Sequence, residues 1–182
     1  MLDENMVLPY EEATQYKPLP EDVYTVQLLD VTSKELESID SKKARLKTPA
    51  LTPIMETKLS FQFVLLEGKD GDEELRGRNV FENFVPTSLY ISSKGKNTLY
   101  QIVEALQGAT VTPEQEAFGI TGKDVNAFIG KQCRVGTVNS PSKDGTKIYS
   151  NIDKFLYVKE KFAELTAEEK ETATIKPKEP TA

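Results

Sequence analysis

Alternating apolar and polar residues predict five β-strands along this chain. The clearest alternation runs over 57–67, TKLSFQFVLLE, where large apolar residues occupy every second position. Successive side chains of a strand point to opposite faces, so this pattern predicts a strand with one face in a core. An acidic, glycine-containing segment, 68–74, predicts the turn of a hairpin with the next strand. The other four strands are predicted over 23–31, 75–85, 132–139 and 147–158.

Two segments between the third and fourth strands have helical spacing instead. In 97–108 the apolar residues recur three and four positions apart, with polar residues that can cap the start and a glycine at the end. In 121–130, Thr121 and Asp124 have the spacing of a capping box before a short apolar face. We therefore expect a helical insertion at this point of the chain.

The order of these elements predicts the fold class. Residues 32–56 lack a sustained period and contain two prolines, so we expect a long loop between the first two strands. Strand, long loop, two strands, helical segment and two strands is the order of an OB-fold. We expect a mainly β protein with a helical insertion (α+β): an OB-fold-like five-stranded barrel with its helix between strands three and four. A small sandwich is the alternative.

The third predicted strand raises a functional question. In 74–85, ELRGRNVFENFV, the alternation places Phe81 on one face with two asparagines, shortly after Arg76 and Arg78. An aromatic ring on a polar face near cations suits a platform for a flat, negatively charged ligand. The alternative is that the register slips at Gly77 and the ring packs beneath the helical segment.

The amino-acid composition limits the catalytic and metal-binding chemistry open to this chain. The chain has 182 residues and no histidine, and its one cysteine, Cys133, lies within a predicted strand. These observations disfavour His-based catalysis and most zinc sites, and they make Cys133 a buried apolar residue rather than a nucleophile. We expect no enzyme activity and no cofactor or metal. The lone cysteine and the absence of an apolar leader or membrane-length segment predict a cytoplasmic protein without a membrane partner.

The net charge of −6 is distributed unevenly. Residues 1–22 hold six acids against one lysine, and we interpret them as an acidic N-terminal arm. Residues 159–182 form a charged tail that we expect to be flexible. The intervening domain, 23–158, has 17 basic and 17 acidic residues, so its neutral balance permits local basic patches such as 42–52.

Five short motifs stand out in this domain: 20-PEDVYTVQLLD-30, 59-LSFQFVL-65, 77-GRNVFEN-83, 128-FIGKQCRVGTV-138 and 149-YSNIDKF-155. In their order and spacing they resemble a family of small bacteriophage proteins from replication and recombination cassettes, a family associated with single-stranded-DNA binding. The resemblance covers about 20–158, and the tail 175–182, mixed in charge and not apolar, departs from the acidic, apolar-tipped tails of many single-stranded-DNA-binding proteins.

The resemblance implies a non-catalytic protein that binds single-stranded DNA without sequence specificity during phage replication or recombination, in the host cytoplasm. Replication or recombination proteins and a second copy of the chain are further candidate partners. The competing hypothesis is a phage protein-interaction or structural module that binds no nucleic acid. Basic and aromatic residues of the strands and loops that form the binding face of such a barrel are the candidate DNA-binding residues: Lys42, Lys43, Arg45, Lys47, Arg76, Arg78, Phe81, Arg134, Lys143, Lys147 and Tyr149.

Overall fold

The computed structural model describes residues 17–175. Its strands are β1 (Val23–Glu37), β2 (Met55–Leu65), β3 (Lys69–Asp70), β4 (Glu73–Glu74), β5 (Asn79–Pro86), β6 (Ile91–Ser92), β7 (Gly95–Lys96), β8 (Gln132–Pro141) and β9 (Ile148–Leu156). Its helices are α1 (Ile39–Lys47), α2 (Thr98–Gln107), α3 (Pro113–Phe118), α4 (Gly122–Asn126) and α5 (Ala167–Ile175).

The five long strands form one antiparallel sheet in the order β5-β2-β1-β8-β9. β1 lies at its centre and pairs with β8 through Val23–Gln27 and with β2 from Val26 to Glu37. An irregularity at Leu29 locally shifts the register between β1 and β2. Among the described strands, none pairs with the free edges of β5 or β9, although these two edges approach each other. The protein is therefore mainly β with helices, as predicted, and the sheet is not closed into a barrel.

The core lies on the inner face of this sheet. Alternate residues of the strands point inward, and α2 packs against β5, β8 and β9 with its apolar face. Phe63 and Phe155 meet in this core with ring centroids 5.8 Å apart. Cys133 is fully buried, and burial raises the pKa of its thiol to about 12, so the predicted apolar role is confirmed.

Local signals placed the five long strands and two of the helices correctly. The five predicted strands correspond to β1, β2, β5, β8 and β9. α2 begins at an Asn97 cap and ends at Gly108, which has a φ of 71°. α4 begins at the predicted capping box of Thr121 and Asp124. These predictions succeed because caps and alternation depend on neighbours in sequence.

The predicted long loop over 32–56 is wrong. β1 continues to Glu37 and pairs with β2 as far as Met55, and α1 forms the connection between them. Beyond Lys58, which lies opposite Pro86, only these two strands pair with each other. Most side chains of this ribbon are exposed on both faces, so the sequence carries no apolar alternation. We call residues 32–57 the arm.

The C-terminal segment also differs from the prediction of a flexible tail. Leu165 and Ala173 pack with Val64 and Leu66 in a second apolar cluster on the outer face of the sheet. The Leu165 amide donates to Gln27 Oε1 at 3.1 Å, and Asn79 Nδ2 donates to the Ala173 carbonyl at 2.9 Å. The segment is thus part of the domain as far as Ile175, and 176–182 lie outside the described residues.

At the N-terminus, the structure describes the predicted acidic segment 1–22 only from Lys17 onward. Leu19 is buried in the main core, and the Tyr24 hydroxyl donates to the Pro20 carbonyl at 2.8 Å. Residues 17–22 therefore belong to the domain, and 1–16 lie outside the described residues.

We expect Leu165→Ala to lower the free energy of unfolding by about 2–4 kcal/mol, because it removes a buried side chain between the C-terminal segment and the sheet. Urea denaturation would measure the change. The neighbouring exposed substitution Lys161→Ala is the control and should change stability by less than about 0.5 kcal/mol. Equal, small effects of the two substitutions would show that the segment does not stabilise the sheet.

Candidate nucleic-acid interface

A surface groove of about 720 Å³ lies between β5 and the hairpin formed by β8 and β9. It occupies the gap at the unpaired edges of the sheet, where β5 and β9 approach each other without strand pairing. The residues that matter for its chemistry are Phe81, Asn83, Phe84, Lys143, Lys147 and Tyr149.

A β-bulge in β5 shapes the first wall of the groove. Leu59 of β2 lies opposite Val85 and Phe61 lies opposite Glu82, so two residues of β5, Asn83 and Phe84, face a single residue of β2. Phe84 has a φ of 62°, a left-handed conformation that is rare for a bulky residue. The Ser60 hydroxyl donates to Asn83 Oδ1 and fastens the bulge to β2.

The bulge reverses the directions in which the side chains of Phe84 and Val85 point. Without it, Phe84 would point inward with Val80. Instead Phe84 is 52% exposed and Val85 is 1% exposed. Phe81, opposite Gln62, is half-buried, and both rings line the groove. The alternative of a register slip at Gly77 does not occur, because Gly77 lies in the turn before β5.

The turn between β8 and β9 forms the opposite wall and carries the groove's cations. Asp144 accepts hydrogen bonds from the Ser142 and Thr146 hydroxyls and from the Thr146 amide, and these bonds lower the pKa of its carboxyl to about 2. Lys143 and Lys147 are exposed on this turn. Two lysines against one aspartate leave the wall with a net positive charge.

Tyr149 follows this turn on β9, opposite Ser140 of β8. Its side chain is half-buried and lines the groove. The groove therefore combines three aromatic rings with two lysines, and its lining includes the side-chain amides of Asn83 and Asn151 and the hydroxyl of Ser150. Such a surface can stack on planar groups and neutralise phosphates.

The groove brings together four of the predicted site residues: Phe81, Lys143, Lys147 and Tyr149. Three arginines that were predicted on strands, Arg76 and Arg78 in the turn before β5 and Arg134 on β8, make contacts within the protein instead. Arg76 pairs with Glu169 at 2.7 Å and also donates to backbone carbonyls of the C-terminal segment. Arg78 donates to the Lys17 carbonyl, and Arg134 donates to the Tyr157 carbonyl at 2.8 Å.

The predicted basic residues of the first connection lie on α1, at the end of the arm. Lys42, Lys43 and Lys47 are exposed there, whereas Arg45 pairs with Glu37 at 3.1 Å. None of the four is among the described residues that line the groove. The structure therefore separates the predicted basic loop from the predicted aromatic strand.

Sequence reasoning missed Phe84. Strict alternation places Phe84 on the same face as Val80 and Glu82, and only the adjacent pair of apolar residues, Phe84 and Val85, signals a shift of register. In the structure Val85 takes the inward position and Phe84 lines the groove.

Comparison with known proteins gives no family for this chain: no protein-family model matches it, and no curated protein sequence is significantly similar to it. Within residues 17–175, no helix has the length and apolar character that a membrane span requires. The same part of the chain contains no cluster of acidic and cysteine side chains suited to hold a metal ion.

Glu82 lies between the groove residues Phe81 and Asn83, on the inward face of β5. Burial raises the pKa of its carboxyl from the usual 4.5 to about 7, because a low-dielectric environment disfavours the charged form. A group with a raised folded-state pKa contributes stability in its protonated form. That contribution is complete below pH 4.5 and is lost as the pH rises through 7.

We expect Glu82→Gln to remove this pH dependence, because the amide stays neutral. Wild type should lose more stability than Glu82→Gln between pH 5 and pH 8 in urea unfolding. Glu114→Gln, an exposed position on α3, is the matched control and should follow wild type. Parallel behaviour of all three proteins would contradict a buried, titrating Glu82.

Proposed function

We propose that this protein binds single-stranded DNA without sequence specificity and acts in phage DNA replication or recombination in the host cytoplasm. The observation that carries the proposal is the groove, in which Phe81 and Phe84 of β5 face Tyr149 and two lysines of the β8–β9 hairpin. Exposed bases can stack on such rings, and lysines neutralise the phosphates between them.

We also propose that the sheet is an open OB-like barrel. Its central strand pairs with the second and fourth long strands, so the third and fifth become the edges. α2 follows the third of these strands in sequence, as the helix of an OB-fold does. The phage family that the sequence motifs resemble fits this architecture and this function.

The proposed role is binding rather than catalysis. Cys133, the one thiol of the chain, is buried with a raised pKa and is therefore not a thiolate nucleophile. The open groove suits a chain-like ligand that enters and leaves along its length. Every base can stack on an aromatic ring, and the rings make no hydrogen bonds that distinguish one base from another. We therefore expect a weak sequence preference.

Removing one stacking ring should weaken binding strongly. We expect Phe81→Ala or Phe84→Ala to raise the dissociation constant for a thirty-base oligonucleotide about 5- to 150-fold, the equivalent of about 1–3 kcal/mol per base. Fluorescence anisotropy at low salt measures it. Phe118→Ala is the matched control, because Phe118 is 86% exposed on α3 and does not line the groove.

Duplex DNA of the same sequence should bind more weakly than the single strand. If wild type binds neither form at low salt, the proposal fails, and the protein-interaction module becomes the better interpretation. If Phe118→Ala weakens binding as much as the groove variants do, the ligand does not stack in the groove.

Neutralising the groove lysines should reduce the salt dependence of binding. Each phosphate contact with single-stranded DNA contributes about 0.7 to the slope of log K against log salt concentration. We therefore expect Lys143→Gln with Lys147→Gln to reduce the slope by about 1.4. Lys123→Gln with Lys159→Gln, which changes the same charge at exposed positions outside the groove, should leave it unchanged.

The double variant Lys42→Gln with Lys43→Gln tests whether the exposed lysines of α1 also contact the DNA phosphates. The geometry predicts an unchanged slope, because α1 does not line the groove. A loss equal to that of the groove variant would show that the phosphates run along the arm instead.

A further inference from the structure

The tip of the arm has an inverted distribution of polar and apolar side chains. Its interior is held by polar groups: the buried Ser41 hydroxyl donates to Glu37 at 2.8 Å and accepts from the Ile54 amide at 2.9 Å. Arg45 adds a pair of hydrogen bonds to the same carboxylate. This carboxylate and hydroxyl thus tie the start of α1 to the start of β2.

The apolar side chains of the tip point outward. Leu46 is 84% exposed and Ile54 is 66% exposed. Exposed apolar residues that cluster on a protruding element mark an interaction surface, whereas isolated ones need no explanation. We call this set the tip patch: Ile39, Leu46, Leu51, Ile54 and Met55.

The charges around the tip patch define its partner. Residues 38–55 contain four basic residues and one acid, and the exposed cations Lys42, Lys43 and Lys47 accompany the patch. A complementary ligand is apolar and negatively charged. Residues 1–16 of this chain, MLDENMVLPYEEATQY, hold four acids and no lysine or arginine around the apolar run 6–10.

The position of Lys17 argues that this segment meets the tip of another copy. The Lys17 carbonyl accepts from Arg78 and its ammonium pairs with Asp70, so it is fixed near the beginning of β5, beside Val64 of β2. From Val64 to Met55 the sheet runs about 30 Å at about 3.3 Å per residue, and the tip patch extends further.

The apolar run 6–10 lies seven to eleven residues before Lys17, which gives it a reach of about 23–36 Å when fully extended. Docking on its own tip would therefore demand an almost straight path along the molecule. A second copy imposes no such limit. Each copy presents one tip and one acidic segment, so reciprocal docking closes a symmetric dimer.

We propose that the tip patch binds the acidic, apolar segment 1–16 of a second copy of this chain, which makes the protein a reciprocal dimer. The proposal goes beyond DNA binding and does not depend on it, because none of the tip residues lines the groove.

Sedimentation equilibrium of the full chain tests the proposal. We expect wild type to dimerise, and we expect Leu46→Ser with Ile54→Ser (the tip variant) to weaken dimerisation at least tenfold. Val7→Ser with Leu8→Ser (the segment variant) should have the same effect. Phe118→Ser, an equally exposed position on α3, should dimerise like wild type. Circular dichroism confirms that each variant is folded.

Mixing the two variants identifies the contact. The tip variant keeps an intact segment and the segment variant keeps an intact tip, so the mixture should form heterodimers through one contact at concentrations at which neither variant dimerises alone. Charge reversal gives a second test: Lys42→Glu with Lys43→Glu should abolish dimerisation, and Glu11→Lys with Glu12→Lys in the same chain should restore it.

Three results would overturn the proposal. Wild type could be monomeric at every concentration. The segment variant could dimerise like wild type, in which case the tips contact each other or a different surface. The chain could instead bind vesicles of anionic phospholipid through the tip without dimerising, in which case the tip patch is a lipid-binding surface.

Discussion

Strand β1 is hydrogen-bonded along both edges, to β8 over Val23–Gln27 and to β2 from Val26 to Glu37. A strand has only two edges, so this double pairing leaves one free edge on β2 and one on β8 for the remaining long strands. β5 pairs with the free edge of β2, and β9 pairs with the free edge of β8. The two outermost edges are left facing each other, and the groove is the space between them. The site is therefore a consequence of how the central strand is shared.

Within that frame, one extra residue decides what the groove can do. Facing directions alternate along a strand, so a single inserted residue reverses every side chain beyond it. The bulge opposite Ser60 moves Phe84 out of the core, next to Phe81, and brings Val85 in. It also places Phe84 in a left-handed conformation that a bulky residue adopts at an energetic disadvantage. Strained backbone of this kind is typical of functional surfaces, and here it lies beside the aromatic residues of the groove.

The arm shows the opposite arrangement from the body. In the body, apolar residues fill the main core on the inner face and a smaller cluster beneath the C-terminal segment on the outer face. In the arm tip, Glu37, Ser41 and Arg45 bond to one another inside while leucine and isoleucine side chains face outward. A two-stranded ribbon without a third strand is only marginally stable in water, and hydrogen bonds at its end compensate in part. The body and the arm thus present two chemically different surfaces, aromatic and basic in the groove, apolar and basic at the tip.

The sequence by itself determined the elements whose causes are local. Alternation marked the five long strands, and caps marked α2 and α4, because these signals lie within a few residues of the element they define. It also identified Phe81, Lys143, Lys147 and Tyr149, which the structure brings to one groove.

The tertiary structure decided everything that depends on distant partners. The sequence predicted Arg76 as a DNA-binding residue, but in the structure its guanidinium pairs with the carboxylate of Glu169, 93 positions later in the chain. The C-terminal segment was predicted as a tail because its few apolar residues have partners far away in sequence, on β1, on β2 and at Leu66 just after β2. The strands of the arm had no apolar alternation because neither face is buried. The position of Phe84 depended on a register shift against β2, which the sequence of β5 signals only through the adjacent apolar pair Phe84 and Val85. Pairing register and long-range contacts are set by the global packing of the sheet, and a linear pattern does not contain them.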